Sequence, residues 1–569
     1  MKPAGQLLLI FLMPACLYAQ NRYDVVIDEL MADPTPQIGL PNNEWIELKN
    51  TTASPVNLQN WRIGDASGQS GPLPNFTLQP DSFVIVCTGS AVAAMSAFGI
   101  TISVTGFPSL DNDGDQLFLK AANGKTIHAV NYTSEWYQNE VKKDGGWTLE
   151  MIDTKSPCAG SSNWKASISV TGGTPGKKNS MDAINNDATA PQLKRAYTTD
   201  NVTIVLVYDE PVDSLSGATL ANYTIDGGLI FTGAVTIAPL FNQVQLKTTT
   251  PLATDRVYTI IASNVKDCKN NTINAVNKAR VGLPTDAAAG EWIINEILLN
   301  PRPNAYDFVE FYNNSNKIFD AAKLYIANRN SSGVISSVKA LSASPCYVFP
   351  GDYIVVTENA ASLALNYLVK NPDNELIVSS LPSFPDDEGD MIALNFQGNI
   401  VDEVKYKDDW HFKLIDNAEG VSLERIDPAG LSQDESNWHS AASTAGYGTP
   451  TYKNSQYKLL NSISATLAVI PKIFSPDNDG YDDIVTIQYA VTEPGYVANI
   501  TVFDAAGRPV RNLVRNGILG LKGYWNWDGL DDKGNKLPVG IYIIFTEIFN
   551  LNGNKEKFKN LLVLARMLK

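Results

Sequence analysis

Carboxylates are the side chains in this sequence with the most chemistry to offer. Glu29, Glu47, Glu296 and Glu310 are of the type that glycosidases use in pairs, one as acid and the other as base or nucleophile. The competing reading is structural. Each stands in a strand-like stretch, and a carboxylate near a strand end satisfies backbone N–H groups. Because the four recur in one repeated framework, the structural reading is preferred and no catalytic residue is assigned. A second group, Asp477, Asp479, Asp482 and Asp483, surrounds Gly480 and offers the hard oxygen ligands that Ca²⁺ prefers. The spacing is not an EF-hand, since no Glu stands at the twelfth position, and a solvated Asx turn opening a strand is the alternative. Asp111, Asp113 and Asp115, and then Asp386, Asp387 and Asp390, read as acidic turns between apolar runs.

Other reactive types are scarce. The chain has 3 histidines, and His411 and His439 each follow a tryptophan without a recognisable triad order, so surface or packing roles are expected. No Walker loop, dinucleotide fingerprint or zinc-protease helix is present. Trp136 and Trp410 each follow a strand (Val130-Asn131-Tyr132 and Val404-Lys405-Tyr406) and are candidate platforms for stacking a sugar ligand. Trp147, Trp164 and Trp438 fit packing better. With Cys16 in the leader, Cys87, Cys158, Cys268 and Cys346 remain, too few for a disulfide scaffold. Cys87 and Cys158 share a segment and are either a pair or buried thiols. A bridge between Cys268 and Cys346, in different segments, is not expected.

The elements that must position these residues repeat. Ile27-Asp28-Glu29-Leu30-Met31-Ala32-Asp33-Pro34 and Asn43-Glu44-Trp45-Ile46-Glu47-Leu48-Lys49-Asn50 are answered by Ile294-Asn295-Glu296-Ile297-Leu298-Leu299-Asn300-Pro301 and Tyr306-Asp307-Phe308-Val309-Glu310-Phe311-Tyr312-Asn313. Phe83–Thr88 is answered by Tyr353–Thr357, Asp113–Leu119 by Glu388–Leu394, and Thr148–Asp153 by Ser422–Asp427. Both copies close with Asn-Trp (Asn163-Trp164, Asn437-Trp438) and Gly-Thr-Pro (Gly173-Thr174-Pro175, Gly448-Thr449-Pro450). Glu150 to Glu424 and Trp164 to Trp438 are each 274 residues apart. Short β-branched and aromatic runs cut by Gly, Asn, Asp and Pro clusters predict sandwiches or barrels, and 361–369 is the best short helix.

The repeated module resembles a bacterial lamin-tail-type domain, whose opening reads Asn-Glu-Ile, Asn-Pro, then Glu-Trp-Ile-Glu-Leu-x-Asn. The resemblance implies an Ig-like β-sandwich. The second copy departs at Phe308-Val309, a change a core should absorb. Between the copies, Val202–Pro211, Asn222–Ile225, Tyr258–Ile261 and Val265–Asn271 are similar to the Ig-like repeats of bacterial surface-layer proteins. The last segment carries Phe474-Ser475-Pro476-Asp477-Asn478-Asp479-Gly480, Ile500-Thr501-Val502-Phe503-Asp504, Trp525-Asn526-Trp527-Asp528-Gly529 and Pro538-Val539-Gly540-Ile541-Tyr542. It resembles the flagellar hook-capping type of Ig-like domain found at the C-termini of proteins exported by Bacteroidetes-type bacteria. That resemblance implies sorting by type IX secretion, with outer-membrane secretion machinery as a partner. The expected architecture is all-β: a signal peptide over 1–19, then four Ig-like sandwiches in tandem at 20–182, 189–284, 290–456 and 466–569.

Composition agrees. The chain of 569 residues carries 44 Lys plus Arg against 60 Asp plus Glu, a formal net charge of −16, which argues against nucleic-acid binding through phosphates. Lys2 followed by the apolar run Leu7–Met13 reads as a secretory leader cleaved after Ala19, too short to span a bilayer. Met13-Pro14-Ala15-Cys16 departs from a lipobox, in which Leu normally stands three before the Cys. No later run suggests a transmembrane segment. Because the four segments account for nearly the whole chain, the leading expectation is a secreted or cell-surface, non-catalytic protein that presents sandwich modules to an extracellular polysaccharide or surface protein. No cofactor is required, with Ca²⁺ the one candidate. The alternatives are an extracellular hydrolase of nuclease or phosphoesterase type, or an accessory of one, and a subunit of an outer-membrane assembly.

Overall fold

The computed structural model describes residues 20–413, 415, 417–457, 466–477, 481–551 and 555–566. The leader over 1–19, with Cys16, lies outside the described residues, and so does Asp479. The fold is all-β. No described helix is long and apolar enough to cross a membrane. The expected helix is Ala360–Asn366, capped by Asn359, whose side chain accepts the Ser362 N–H at 2.8 Å. The chain divides into two compact units, Met1–Pro251 with Tyr258–Arg280, and Leu252–Val257 with Val281–Lys569.

In the first unit, a six-stranded sheet runs in the order Trp164–Ala166, Leu149–Met151, Val25–Met31, Trp45–Asn50, Phe83–Cys87, Thr101–Ser103. A three-stranded sheet of Arg62–Gly64, Gly114–Lys120 and Thr126–Thr133 lies with it around one apolar core that includes Ile27, Leu48, Trp61, Leu117 and Trp164. The opening strand, VVIDELM, is buried at every position, so both of its faces are covered. The Ig-like segment follows as two sheets, Leu193–Thr198, Thr203–Tyr208, Gln243–Thr248, Phe231–Ile237 and Tyr223–Ile225, Tyr258–Ala262, Lys278–Val281.

The second unit repeats the scheme. Its six-stranded sheet runs Glu375–Ile377, Tyr353–Thr357, Phe308–Asn313, Trp292–Leu298, Leu423–Arg425, Trp438–Ser440, the same order read from the other edge. Phe308 takes the place of Trp45. Both are fully buried, and the smaller ring packs edge-on against Tyr367 at 5.4 Å. Residues 466–566 form a three-stranded and a five-stranded sheet, the latter built on the hairpin Gly540–Asn550 and Lys555–Leu564. This segment is seated on the second module: Ser443 Oγ donates to Ile518 O at 2.9 Å, Leu521 N to Ser455 O at 3.1 Å, and Phe412 packs with Val497 and Ile518.

The cysteines correct the sequence reading. Cys158 is bonded to Cys268, with Cα atoms 6.0 Å apart, and Cys87 is a buried thiol. Pairing within a segment fails because Cys87 lies inside a core strand beside Trp45, Ile85 and Met95. Cys158 instead stands in a loop that faces the loop of Cys268. A crosslink of this kind belongs to an oxidising compartment.

Each opening strand carries the same β-bulge. The register slips between Ile27 and Glu29 and between Ile294 and Glu296, leaving Asp28 or Asn295 as the extra residue. Different side chains hold the two bulges. The Ile27 N–H donates to His128 Nδ1 at 3.0 Å, and the Ile294 N–H to Asp402 Oδ2 at 2.8 Å. Burial pushes the His128 imidazole down to about 3, so it is neutral and needs no counter-charge. The Asp402 side chain is 8% exposed, and Arg425 pairs with it at 3.1 Å, whereas the position matching Arg425 in the first module is Met151. Replacing Arg425 by Met alone strands a buried charge and should cost about 3–5 kcal/mol. Combining Asp402→His with Arg425→Met, which transplants the first module's solution, should recover about 2 kcal/mol or more of that. Urea denaturation of the single and double variants, followed by tryptophan emission, checks this; equal losses would refute the pairing.

Candidate functional site

The sequence-predicted glutamates come together two to a module, and in each module a third, Glu150 or Glu424, joins them. Glu29 pairs in register with Glu47 on one side and Glu150 on the other, and Glu296 likewise with Glu310 and Glu424. All six are buried, with no measurable exposure. Directly opposed like charges on neighbouring strands repel. Among the described residues no Lys or Arg pairs with them.

What covers them is the Gly-Thr-Pro segment. In the first module Glu29 Oε1 accepts Thr174 N–H at 2.7 Å and Thr148 Oγ–H at 2.6 Å, Glu47 accepts Gly176 N–H, and Glu150 Oε2 accepts Met181 N–H at 2.8 Å. In the second, Glu296 Oε1 accepts Thr449 N–H at 2.8 Å, Glu310 accepts Thr451 N–H, and Glu424 Oε2 accepts Gln456 N–H at 2.8 Å. The strap runs so close that a Cβ on Gly173 would meet Glu29 Oε1 at 2.8 Å and Leu40 Cδ1 at 2.8 Å. A larger residue there would have to displace the Glu29 carboxylate or its neighbours.

One hydroxyl exposes the protonation state. Thr449 Oγ1 lies 2.9 Å from Glu296 Oε2 and 2.9 Å from Glu424 Oε1. A hydroxyl has one proton to donate, so the second short contact requires a proton on a carboxyl group. Burial first, and then the neighbouring Glu424, raises the Glu296 carboxyl well above the usual carboxylate range. Burial and Glu150 push Glu29 up to about 8. Glu29 and Glu296 thus work as neutral or proton-sharing acceptors that fasten a loop. None reaches a surface on which a substrate could lie.

The histidines follow the same pattern. His411 Nδ1 is 2.9 Å from Ser440 Oγ, a nucleophile–base spacing, but Ser440 is fully buried and its Oγ also accepts the Phe412 N–H at 2.9 Å. Burial holds His411 down to about 4. The acidic turns are pinned by matching tyrosines: Tyr132 Oη donates to Asp111 O and Tyr406 Oη to Pro385 O, each at 2.9 Å. Near the start of the last segment, Asp477 N donates to Asp483 Oδ1 at 3.1 Å and Ser475 N to Asp482 O at 2.9 Å, an arrangement of turns with Asp477 and Asp482 exposed. Trp136 and Trp410 are half-buried at matching places. Each leans on its framework tryptophan, Trp164 at 6.2 Å and Trp438 at 6.3 Å, and packs at the edge of its module's core. A grouping missed in the sequence is Asp187, Glu210 and Asp267. Its only linear signal is the acidic turn Asp209-Glu210-Pro211 after a strand.

The raised Glu29 carboxyl has a measurable consequence. A folded-state value of about 8 against an ordinary 4.5 means that the folded protein holds the proton more tightly. The contribution is complete below about 4.5 and is lost as pH rises through about 8. Glu29→Gln, which keeps a neutral acceptor, should close its stability gap to the wild type between pH 5 and pH 9. Thermal melts of both proteins across that range check it, and parallel profiles would contradict it.

Comparison with known proteins agrees with the two ends of this arrangement. The lamin tail domain family matches residues 19–134, and the CHU_C type IX secretion signal domain family matches residues 468–564. No curated protein matches the chain. Solved structures similar to it include the N-terminal part of the bacterial S-layer protein SbsC (13% identity, 30% of this chain and 40% of that one, TM-score 0.16). Others are a DUF4876 family protein from Bacteroides thetaiotaomicron (12% identity, 40% and 84%, TM-score 0.17) and dimeric latent PorU from Porphyromonas gingivalis (10% identity, 71% and 35%, TM-score 0.14). The chain thus spans about 40% of the SbsC fragment it resembles. With a lamin tail domain and a type IX secretion signal domain, the protein is an exported, multi-domain β protein of the cell surface or the medium.

Proposed function

We propose that the protein is a non-catalytic surface or secreted binding protein whose repeated modules each present the same loop to an extracellular polysaccharide or a surface protein. The observation that carries this reading is the placement of the reactive side chains. The six glutamates and Ser440 are buried in the modules and hydrogen-bonded to the fold, with His411 held against Ser440, whereas Trp136 and Trp410 recur half-buried at one place on both copies. An aromatic face braced from behind by a second tryptophan is suited to stack on a sugar ring, because it loses little freedom on binding. In this reading residues 466–569 engage the outer-membrane secretion machinery, and the carboxylates of Asp477, Asp479, Asp482 and Asp483 are a calcium loop of that segment.

The test is co-sedimentation of the purified protein with insoluble cell-envelope polysaccharide. Trp136→Ala and Trp410→Ala should each weaken retention about tenfold, equivalent to about 1.4 kcal/mol, with far-UV circular dichroism unchanged. Retention unaffected by both substitutions together would remove the tryptophans from the binding surface.

A further inference from the structure

The second compact unit holds a cavity of about 710 Å³ where the strap of its module meets the last segment. Hollows of this size take small ligands. Three elements bring a cation to it. Lys370 follows the helix Ala360–Asn366, Lys453 stands just beyond the Gly-Thr-Pro turn of the strap, and Lys522 opens the strand Lys522–Trp527. Tyr452 and Tyr457 line it from the strap. Tyr524, two residues beyond Lys522, shares that residue's face of the strand.

The charge here is the reverse of the chain's. The sequence carries 60 Asp plus Glu against 44 Lys plus Arg, yet none of the described residues lining the cavity is acidic. Among the described residues, no carboxylate forms an ion pair with Lys370, Lys453 or Lys522. The glutamate row of the module is engaged by the strap itself, through Thr449, Thr451 and Gln456. Ring faces hold two of the ammonium groups. Lys370 Nζ lies 3.7 Å from the centre of the Tyr452 ring, and Lys453 Nζ 3.5 Å from that of Tyr457. Burial, and then Lys522, lowers the Lys453 amine from its ordinary value, so these two cations feel one another. The ring of Tyr524 is 60% exposed.

We propose that this cavity binds an anionic saccharide, with the lysines taking its acidic group and the tyrosines meeting its ring and hydroxyls. A small inorganic anion would leave the aromatic wall unused, and a neutral sugar would leave three cations uncompensated. Because lysine acts as a point charge, a carboxylated and a phosphorylated sugar present it with the same chemistry. The site is separate from Trp136 and Trp410 and does not rest on their reading.

The experiment is calorimetric titration of the full chain with tetragalacturonate, with a mannose phosphate and with neutral maltotetraose, each at low and high salt. The wild type should bind at least one charged sugar about tenfold more tightly than maltotetraose, and less tightly as salt rises. Lys453→Gln combined with Lys522→Gln should weaken that binding about tenfold, with the melting temperature unchanged. Tyr524→Ala, which removes the exposed ring, should weaken it too and serves as the readout if the double variant folds poorly. A response to tetragalacturonate alone assigns a carboxylated ligand, and one to the mannose phosphate alone a phosphorylated one. Binding of neither charged sugar, equal binding of maltotetraose, or wild-type affinity in the folded variants would overturn the proposal and leave the sedimentation test of Trp136 and Trp410 to stand by itself.

Discussion

Three carboxyl groups side by side on adjacent strands, with no cation among them, set the terms for each repeated module. Glu29, Glu47 and Glu150 in one, and Glu296, Glu310 and Glu424 in the other, point away from the apolar core to the second face of the sheet. Left to water, such a row would be a repulsive patch. Covered by apolar side chains, it would be unsatisfied and costly. The Gly-Thr-Pro strap resolves the conflict by bringing backbone N–H groups and hydroxyls to the row. The opening strand is consequently buried on both faces, and the module needs its last residues to close over its first.

In the second module the same row reaches further. Glu424 holds Ser455 Oγ at 2.8 Å and Gln456 N at 2.8 Å. Ser455 O accepts the Leu521 N–H at 3.1 Å and Gln456 Nε2 donates to Leu519 O at 3.2 Å. The residues that finish the strap are thus the seat of the segment matching the type IX secretion signal domain. A defect in the glutamate row should loosen that seat as well as the module, through direct contacts and without a longer pathway.

Much of this was legible in the sequence, for particular reasons. The repeat was visible because both copies need the same framework: Glu to receive the strap, Gly-Thr-Pro to form it, and Asn-Trp to pack beside it. Where the first copy has Trp45, the second has Phe308 with the Tyr367 ring packed edge-on beside it. The triads themselves were only half legible. Glu150 and Glu424 were quoted as repeat landmarks, yet their pairing with Glu29 and Glu296 depends on sheet order, which periodicity does not encode. The disulfide was misread for a related reason. Cys158 and Cys268 are 110 residues apart and meet only because two loops at a segment join face each other. Asp187, Glu210 and Asp267 come from three separate stretches, and no spacing rule links them.

The central claim is that the strap is part of the core, fastened by buried carboxyls, although it has no strand of its own. Amide hydrogen exchange at Thr174 and Thr449 tests it most directly. Both donate N–H to a glutamate, at 2.7 Å and 2.8 Å, and lie outside every sheet. The account expects these two amides to exchange as slowly as those of Ile46 and Val309 in the neighbouring strands, because they open only when the module unfolds. Exchange at the rate of an ordinary surface loop, with the strands still protected, would contradict it.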